Sequence, residues 1–181
     1  MKRLRTAATA AGLLAALAPP ADAHYFVPVG DGSVGFFLGF MVEPVFEGEP
    51  NGVEIYPFKD ITKYNNGVPL DGRPVGKADE VRISAVVQTL DAPGEAGKVI
   101  AERKLGSLRE LFTPRRYARE FRPYPAGYYA FHLKGTINGQ AIDDTFYCTP
   151  GSHATFGCVD PARPPFKVIF PPKSAAGDAT D

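Results

Sequence analysis

Three histidines, two cysteines and two methionines carry most of the metal-binding and redox chemistry open to this chain of 181 residues. His24 is the sharpest of them. It follows a basic start, Met1-Lys2-Arg3-Leu4-Arg5, an uncharged apolar run from Thr6 to Ala18, then Pro19-Pro20 and Ala21-Asp22-Ala23. Basic start, apolar middle and A-x-A end are the parts of a secretory signal, so residues 1–23 read as a signal peptide and His24 as the first residue after cleavage. A histidine in that position offers two nitrogens at once, its α-amine and an imidazole nitrogen, which close a chelate ring on one ion. Cu(II) takes tetragonal nitrogen and oxygen sets and binds them most tightly among the first-row divalent ions. A free α-amine titrates at about 7.7–8.0, so near neutrality a metal has only a modest proton affinity to displace.

A second imidazole has two candidates, and the sequence leaves both open. His153 lies midway between Cys148 and Cys158. That cysteine pair reads as a disulfide in an oxidising compartment, and a cross-linked loop holds a ligand at lower entropic cost. His132 follows Phe131 and points away from the core if Phe131 points inward, which makes it the reserve ligand. Asp31, Asp143 and Asp160 are possible oxygen ligands, and no spacing selects one. Met41 is the one methionine left after cleavage, which excludes a methionine-rich Cu(I) site.

Charge excludes other chemistries. The chain has 20 basic and 20 acidic residues, and cleavage removes Lys2, Arg3, Arg5 and Asp22, so 17 basic and 19 acidic residues remain, a net of −2. Arg115, Arg116, Arg119 and Arg122, interleaved with Tyr117, Phe121 and Tyr124, are therefore read as a solvated strand with aromatic core residues, not as a nucleic-acid surface. There is no G-x-S-x-G elbow, P-loop or H-E-x-x-H, and no catalytic residue is singled out. No segment is long and apolar enough for a stable membrane span.

The elements that must position these groups are strands. Val34, Phe36, Leu38, Phe40 and Val42 alternate, with Gly35 and Gly39 on the other face, where close packing is expected. Asn51-Gly52 marks a turn before Val53 and Ile55. Residues 59–79 read as a long loop, residues 81–88 as a half-buried strand, and Lys98 to Leu105 as its return. Ser107-Leu108-Arg109-Glu110 matches a capping box and predicts one helical turn. Tyr128 to Ile137, Asn138-Gly139 and Gln140 to Tyr147 predict a hairpin with Phe131 facing Phe146 and His132 facing Thr145. That register leaves Asp144 on the apolar face, at a bulge, at the sheet margin or buried with a partner. Pro125-Ala126-Gly127-Tyr128-Tyr129 resembles a tyrosine corner with Tyr129 as its corner residue. Together these predict an all-β, immunoglobulin-like (Greek-key) β-sandwich of about seven strands over residues 24–172, with the disulfide loop at 148–158 and a flexible tail from 173 to 181.

Gly39-Phe40-Met41-Val42-Glu43-Pro44, Gly48-Glu49-Pro50-Asn51-Gly52-Val53-Glu54-Ile55, Pro125 to Tyr129, and Gly135-Thr136-Ile137-Asn138-Gly139 with Asp144-Thr145-Phe146 resemble a group of poorly characterised exported bacterial β-sandwich proteins. The resemblance covers most of residues 33–147, and its motifs are mainly turn and packing residues. Some members of that group occur alongside copper-resistance proteins. The mature-terminal His24 is also similar to the N-terminal histidine of the periplasmic copper-resistance carriers and of the lytic polysaccharide monooxygenases. Of their ligands only His24 carries over. The absence of tryptophan and of a flat aromatic face departs from the monooxygenases, and the disulfide loop and long tail depart from the carriers.

The expected function is therefore copper(II) carriage or buffering in the periplasm or outside the cell, through His24 with His153 or His132. The alternative is a metal-free envelope module that binds a protein partner. A copper-dependent polysaccharide monooxygenase is a third reading.

Overall fold

The computed structural model describes residues 24–76, 80–112, 115–150 and 155–163; the 1–23 segment, His153 and the tail lie outside them. The described chain forms twelve strands: β1 Tyr25–Val29, β2 Val34–Phe40, β3 Asn51–Lys59, β4 Tyr64–Asn65, β5 Val68–Pro69, β6 Arg73–Pro74, β7 Val81–Leu90, β8 Val99–Ser107, β9 Arg109–Glu110, β10 Tyr117–Phe121, β11 Tyr128–Ile137 and β12 Gln140–Tyr147. Every ladder between them is antiparallel. One sheet runs β1-β2-β3-β10-β9 with β6 also on β3, and the other runs β12-β11-β7-β8. Chain order thus crosses between the two sheets three times, from β6 to β7, from β8 to β9 and from β10 to β11. This is the immunoglobulin arrangement: β2, β3, β10 and β9 stand as strands A, B, E and D, and β12, β11, β7 and β8 as G, F, C and C′. β1 is an extra strand outside A. Among the described residues no helix is long and apolar enough to cross a membrane.

Strand alternation builds the core. Val34, Phe36, Leu38 and Phe40 from β2, Val53 and Ile55 from β3, and Phe131, Leu133 and Ile137 from β11 are all buried between the sheets. At one end the rings concentrate: Phe131 stacks on Phe156 with centroids 4.8 Å apart, and Phe40 lies edge-on to Phe131 at 5.0 Å. The corner at the start of β11 is closed by the Tyr129 hydroxyl, which donates to the Pro125 carbonyl at 2.7 Å. The β11–β12 hairpin has the expected register, Phe131 facing Phe146 and His132 facing Thr145, with Asn138 and Gly139 at φ of 48° and 80°. Asp144 is exposed on β12, the margin of its sheet.

Four local expectations give way. Val42 does not extend the β2 stripe: the strand ends at Phe40 and Val42 is 55% exposed. Asn51-Gly52 is not a turn but the start of β3. The Asn51 amide clamps the incoming loop, accepting from the Val42 and Gly52 N–H groups and donating to the Val42 carbonyl. A side chain at Gly52 would meet the Met41 sulfur 2.5 Å away, so the position needs a glycine for close approach. Within residues 59–79, Asn66-Gly67 turns the short β4–β5 hairpin and β6 pairs with β3. Ser107 to Glu110 is extended, not helical. Leu108 drops into the core, its N–H donates to the Ile83 carbonyl, and the chain passes there from β8 in one sheet to β9 in the other. Sheet edges offer more hydrogen bonds to this segment than one isolated helical turn would.

Cys148 and Cys158, ten positions apart, form a disulfide. Phe156, within the closed loop, is wholly buried, and Val159 bridges to Gly127. Reduction is expected to lower the unfolding free energy by about 2–3 kcal/mol, from loop closure alone. Urea denaturation with and without dithiothreitol reads this. Identical midpoints would show that the bond does not constrain the unfolded chain.

Candidate functional site

Cross-strand register builds a polar cluster on the outer face of the first sheet. Tyr25, Leu38, Ile55 and Tyr117 stand side by side across β1, β2, β3 and β10, and their row faces the core. The adjacent row therefore faces outward. It consists of His24, just before β1, then Gly39, Glu54 and Ala118. Gly39 and Ala118 are small, so the Glu54 side chain has open space on both sides. The His24 imidazole crosses Gly39 to reach it. The next outward row places Phe37 and Tyr56 beside it, and Arg116 immediately precedes β10.

Glu54 is only 1% exposed despite its outward position. Both of its oxygens are engaged: Oε1 with His24 Nε2 at 2.7 Å, and Oε2 with the Arg116 Nε–H. Arg116 also donates through Nη2 to the Met41 carbonyl at 3.4 Å, and its guanidinium lies 5.7 Å from the Tyr56 ring centroid. The Tyr56 ring meets the His24 ring edge-on at 5.4 Å. Burial, and then the Glu54 charge, raise the Tyr56 hydroxyl above its ordinary range. Because an ionised carboxylate only accepts, the His24 nitrogen facing Glu54 is the N–H nitrogen. The other ring nitrogen, Nδ1, lies nearer the His24 backbone nitrogen along the side chain.

Glu43, on the loop after β2, is the second carboxylate here. Gly157, between Phe156 and Cys158, donates its N–H to Glu43 Oε1 at 3.4 Å. Burial pushes the Glu43 carboxyl up to about 7, against the opposing effects of the Gly157 and Phe40 amides and of His24. Glu54 adds to the upward push. Between about 4.5, where the unfolded side chain titrates, and 7, the folded state holds the extra proton. Stability therefore falls as pH rises through that window. Glu43→Gln is expected to remove this fall and to raise the unfolding free energy at pH 8 by about 1–2 kcal/mol, after discounting for solvent screening. Urea midpoints at pH 5 and pH 8 read it; an equal change at both pH values would show that ionisation of Glu43 is not the cause.

Of the residues marked by sequence, His24 is in this cluster. His153 lies outside the described residues, but the described end of its loop reaches the cluster through Gly157 on Glu43 and through Phe156, whose ring stacks on Tyr25 at 6.2 Å. His132 is elsewhere. It projects from the outer face of the opposite sheet, where Nδ1 pairs with Thr145 Oγ1 at 3.0 Å and Nε2 with Asp143 Oδ1 at 3.2 Å. His24 and His132 thus stand on opposite faces of the sandwich. Asp143 also takes Lys134, Asp31 takes Ser33 and Gln140, and Asp160 is bridged to Phe46; none of these joins His24. Among the described residues no three His, Cys, Asp or Glu side chains form a group able to hold a metal by themselves.

Arg116 corrects the reading of a solvated basic strand, since it is the cation on a buried glutamate. Sequence reasoning also passed over Glu43, Glu54 and Tyr56. Their signal was indirect: Glu54 alternates with Val53 and Ile55, which fixes it on the outward face, opposite the glycine at 39. No family model matches the chain, and neither the curated proteins nor the solved structures contain a significant match to it.

Proposed function

We propose that this chain is exported, cut after Ala23, and binds Cu(II) at the new N-terminus, for copper carriage or buffering in the periplasm or outside the cell. The observation that carries the reading is the 2.7 Å contact between His24 Nε2 and the buried Glu54. Metal-binding histidines characteristically give their other ring N–H to a carboxylate, which fixes the tautomer and makes the ligating nitrogen more basic. Here that arrangement leaves Nδ1 and the α-amine of a chain beginning at His24 for the ion. Both are nitrogen donors, and they suit a tetragonal Cu(II) set. His153 is proposed as the second imidazole, because its disulfide loop closes against the same cluster. His132 is not proposed as a ligand of the same ion, given its place on the opposite face.

The competing reading is a metal-free envelope module that binds a protein partner. It is favoured by one observation: Glu54 is already neutralised by Arg116, so the cluster is balanced without a metal. N-terminal sequencing of exported protein, followed by Cu(II) titration monitored by electron paramagnetic resonance, separates the two. The copper reading expects a chain beginning at His24 and one tightly held Cu(II) with nitrogen ligands. A chain that begins at His24 and holds no Cu(II) would leave the metal-free module as the function.

A further inference from the structure

We propose that the margin of the sandwich between β8 and β10 is a docking cleft for an extended acidic segment of a partner protein, which adds to β8 as a strand and sets a carboxylate among arginines. The proposal stands whether or not His24 holds copper. Two facing inner rows lead to this margin. Phe146, Phe131, Val87 and Arg103 stand side by side across β12, β11, β7 and β8. Phe40, Val53 and Arg119 do so across β2, β3 and β10. Phe40 meets Phe131 at 5.0 Å, so the rows lie against each other in the core. β8 is the last strand of its sheet, and among the described residues β9 pairs with β10 at Tyr117 and Ala118 and leaves Arg119 to Phe121 open on that side. Each row therefore ends at a free margin in an arginine, where alternation calls for a core residue. The acidic neighbours Glu102 and Glu120 belong to the outer faces by the same alternation, and both are exposed. Among the described residues neither Arg103 nor Arg119 forms an ion pair.

The margin is hollow. Cavities of about 460 Å³ and 240 Å³ share Arg103, Phe121 and Arg122 as lining residues, so they adjoin as one groove with these three at its middle. Phe121 is fixed there by Phe40 and Phe131, at centroid distances of 6.1 and 6.2 Å. Arg122 donates to the Gly48 carbonyl at 2.9 Å and brings a further positive charge. Met41 and the exposed Val42 line one end of the groove, and the exposed Tyr124 lines the other. Cations at the middle and apolar ground at both ends match an extended chain with an acidic residue between apolar ones. β8 supplies main-chain partners, because an edge strand presents a row of unpaired N–H and C=O groups. A second copy of this chain fits poorly. An antiparallel β8–β8 pair about the strand's middle that keeps the inner faces together sets Arg103 against Arg103 or Glu102 against Glu102, and like charges directly opposite are destabilising. Inward charge on an edge strand also discourages edge pairing without any ligand, and the test must separate that role from docking.

The test sets the full processed chain, in EDTA so that copper plays no part, against a phage-displayed library of random linear peptides. Enrichment of peptides with Asp or Glu between β-branched or aromatic residues is expected. Fluorescence polarisation of such a peptide should show binding about 10–100-fold weaker in Arg103→Gln and in Arg119→Gln. Arg82→Gln makes the same change of charge on the exposed face of β7 and should leave binding unchanged. The bound peptide should slow amide exchange along β8 and not along β1 or β12, the other margins. No enriched acidic peptide, or wild-type binding in Arg103→Gln, would overturn the proposal and leave the arginines as guards against edge pairing. Binding without protection of β8 would overturn strand addition. A dimer in solution that Arg103→Glu dissociates would give the margin to a second copy and overturn the proposal as well.

Discussion

A chain with one additional residue before His24 is expected to bind Cu(II) about 100-fold more weakly than the chain that begins there, because the second arm of a chelate adds its binding at high effective concentration. The imidazole is unchanged in the extended chain, and its contact with Glu54 is preserved. What is lost is the ring closed by Nδ1 and the terminal amine, since the amine becomes a peptide N–H that no longer offers a free lone pair. His153→Ala leaves that ring intact and should cost less. His132→Ala should change nothing at this site, because its imidazole is occupied by Thr145 and Asp143 on the far sheet. Isothermal titration of the four proteins gives the ranking directly. Equal affinity in the extended and native chains would remove the terminal chelate. A drop for His132→Ala equal to that for His153→Ala would mean that the copper measured is bound elsewhere.

Sequence periodicity located the sandwich because its strands obey a strict period of two. The stripe from Val34 to Phe40 and the Asn138-Gly139 hairpin each follow from local geometry, and the structure has both. Where the sequence misled, a distant partner had more to offer than the local pattern. Ser107 to Glu110 has the residues of a helix start, but Ile83 and Ala118 provide ladder partners for an extended chain. Asn51-Gly52 has the residues of a turn, but the Asn51 amide is used on Val42. The cluster around Glu54 is a long-range object of the same kind. Its members come from positions 24, 39, 43, 54, 56, 116 and 157; the lateral order of β1, β2, β3 and β10 makes most of them neighbours, and the disulfide loop brings Gly157 to Glu43. A lone glutamate between valine and isoleucine reads as a solvated outer-face residue until the arginine 62 positions later is known to cover it.

Arg116→Met is expected to lower the unfolding free energy by about 3–5 kcal/mol, the largest stability change among single substitutions in the cluster. The methionine fills much of the volume but leaves the buried Glu54 carboxylate without its arginine, beside His24 and the Tyr56 hydroxyl. Glu54→Leu should cost less, about 1–2 kcal/mol, because Arg116 is 24% exposed and can turn its guanidinium toward solvent. The double variant Arg116→Met/Glu54→Leu removes both charges and should lie close to the wild type, since an apolar pair of similar volume carries no desolvation cost. The three urea curves and that of the wild type form a double-mutant cycle with a coupling energy of about 4–7 kcal/mol. Strict additivity would show that Arg116 stabilises the fold through its packing on Tyr56 and not through Glu54. Stability and metal binding should also part company in these proteins. The double variant keeps the fold and the terminal amine but frees the His24 ring, so its Cu(II) affinity should fall by about 10–100-fold, the usual effect of removing a carboxylate that orients a ligand histidine. A stable double variant with undiminished Cu(II) affinity would mean that Glu54 serves the fold alone.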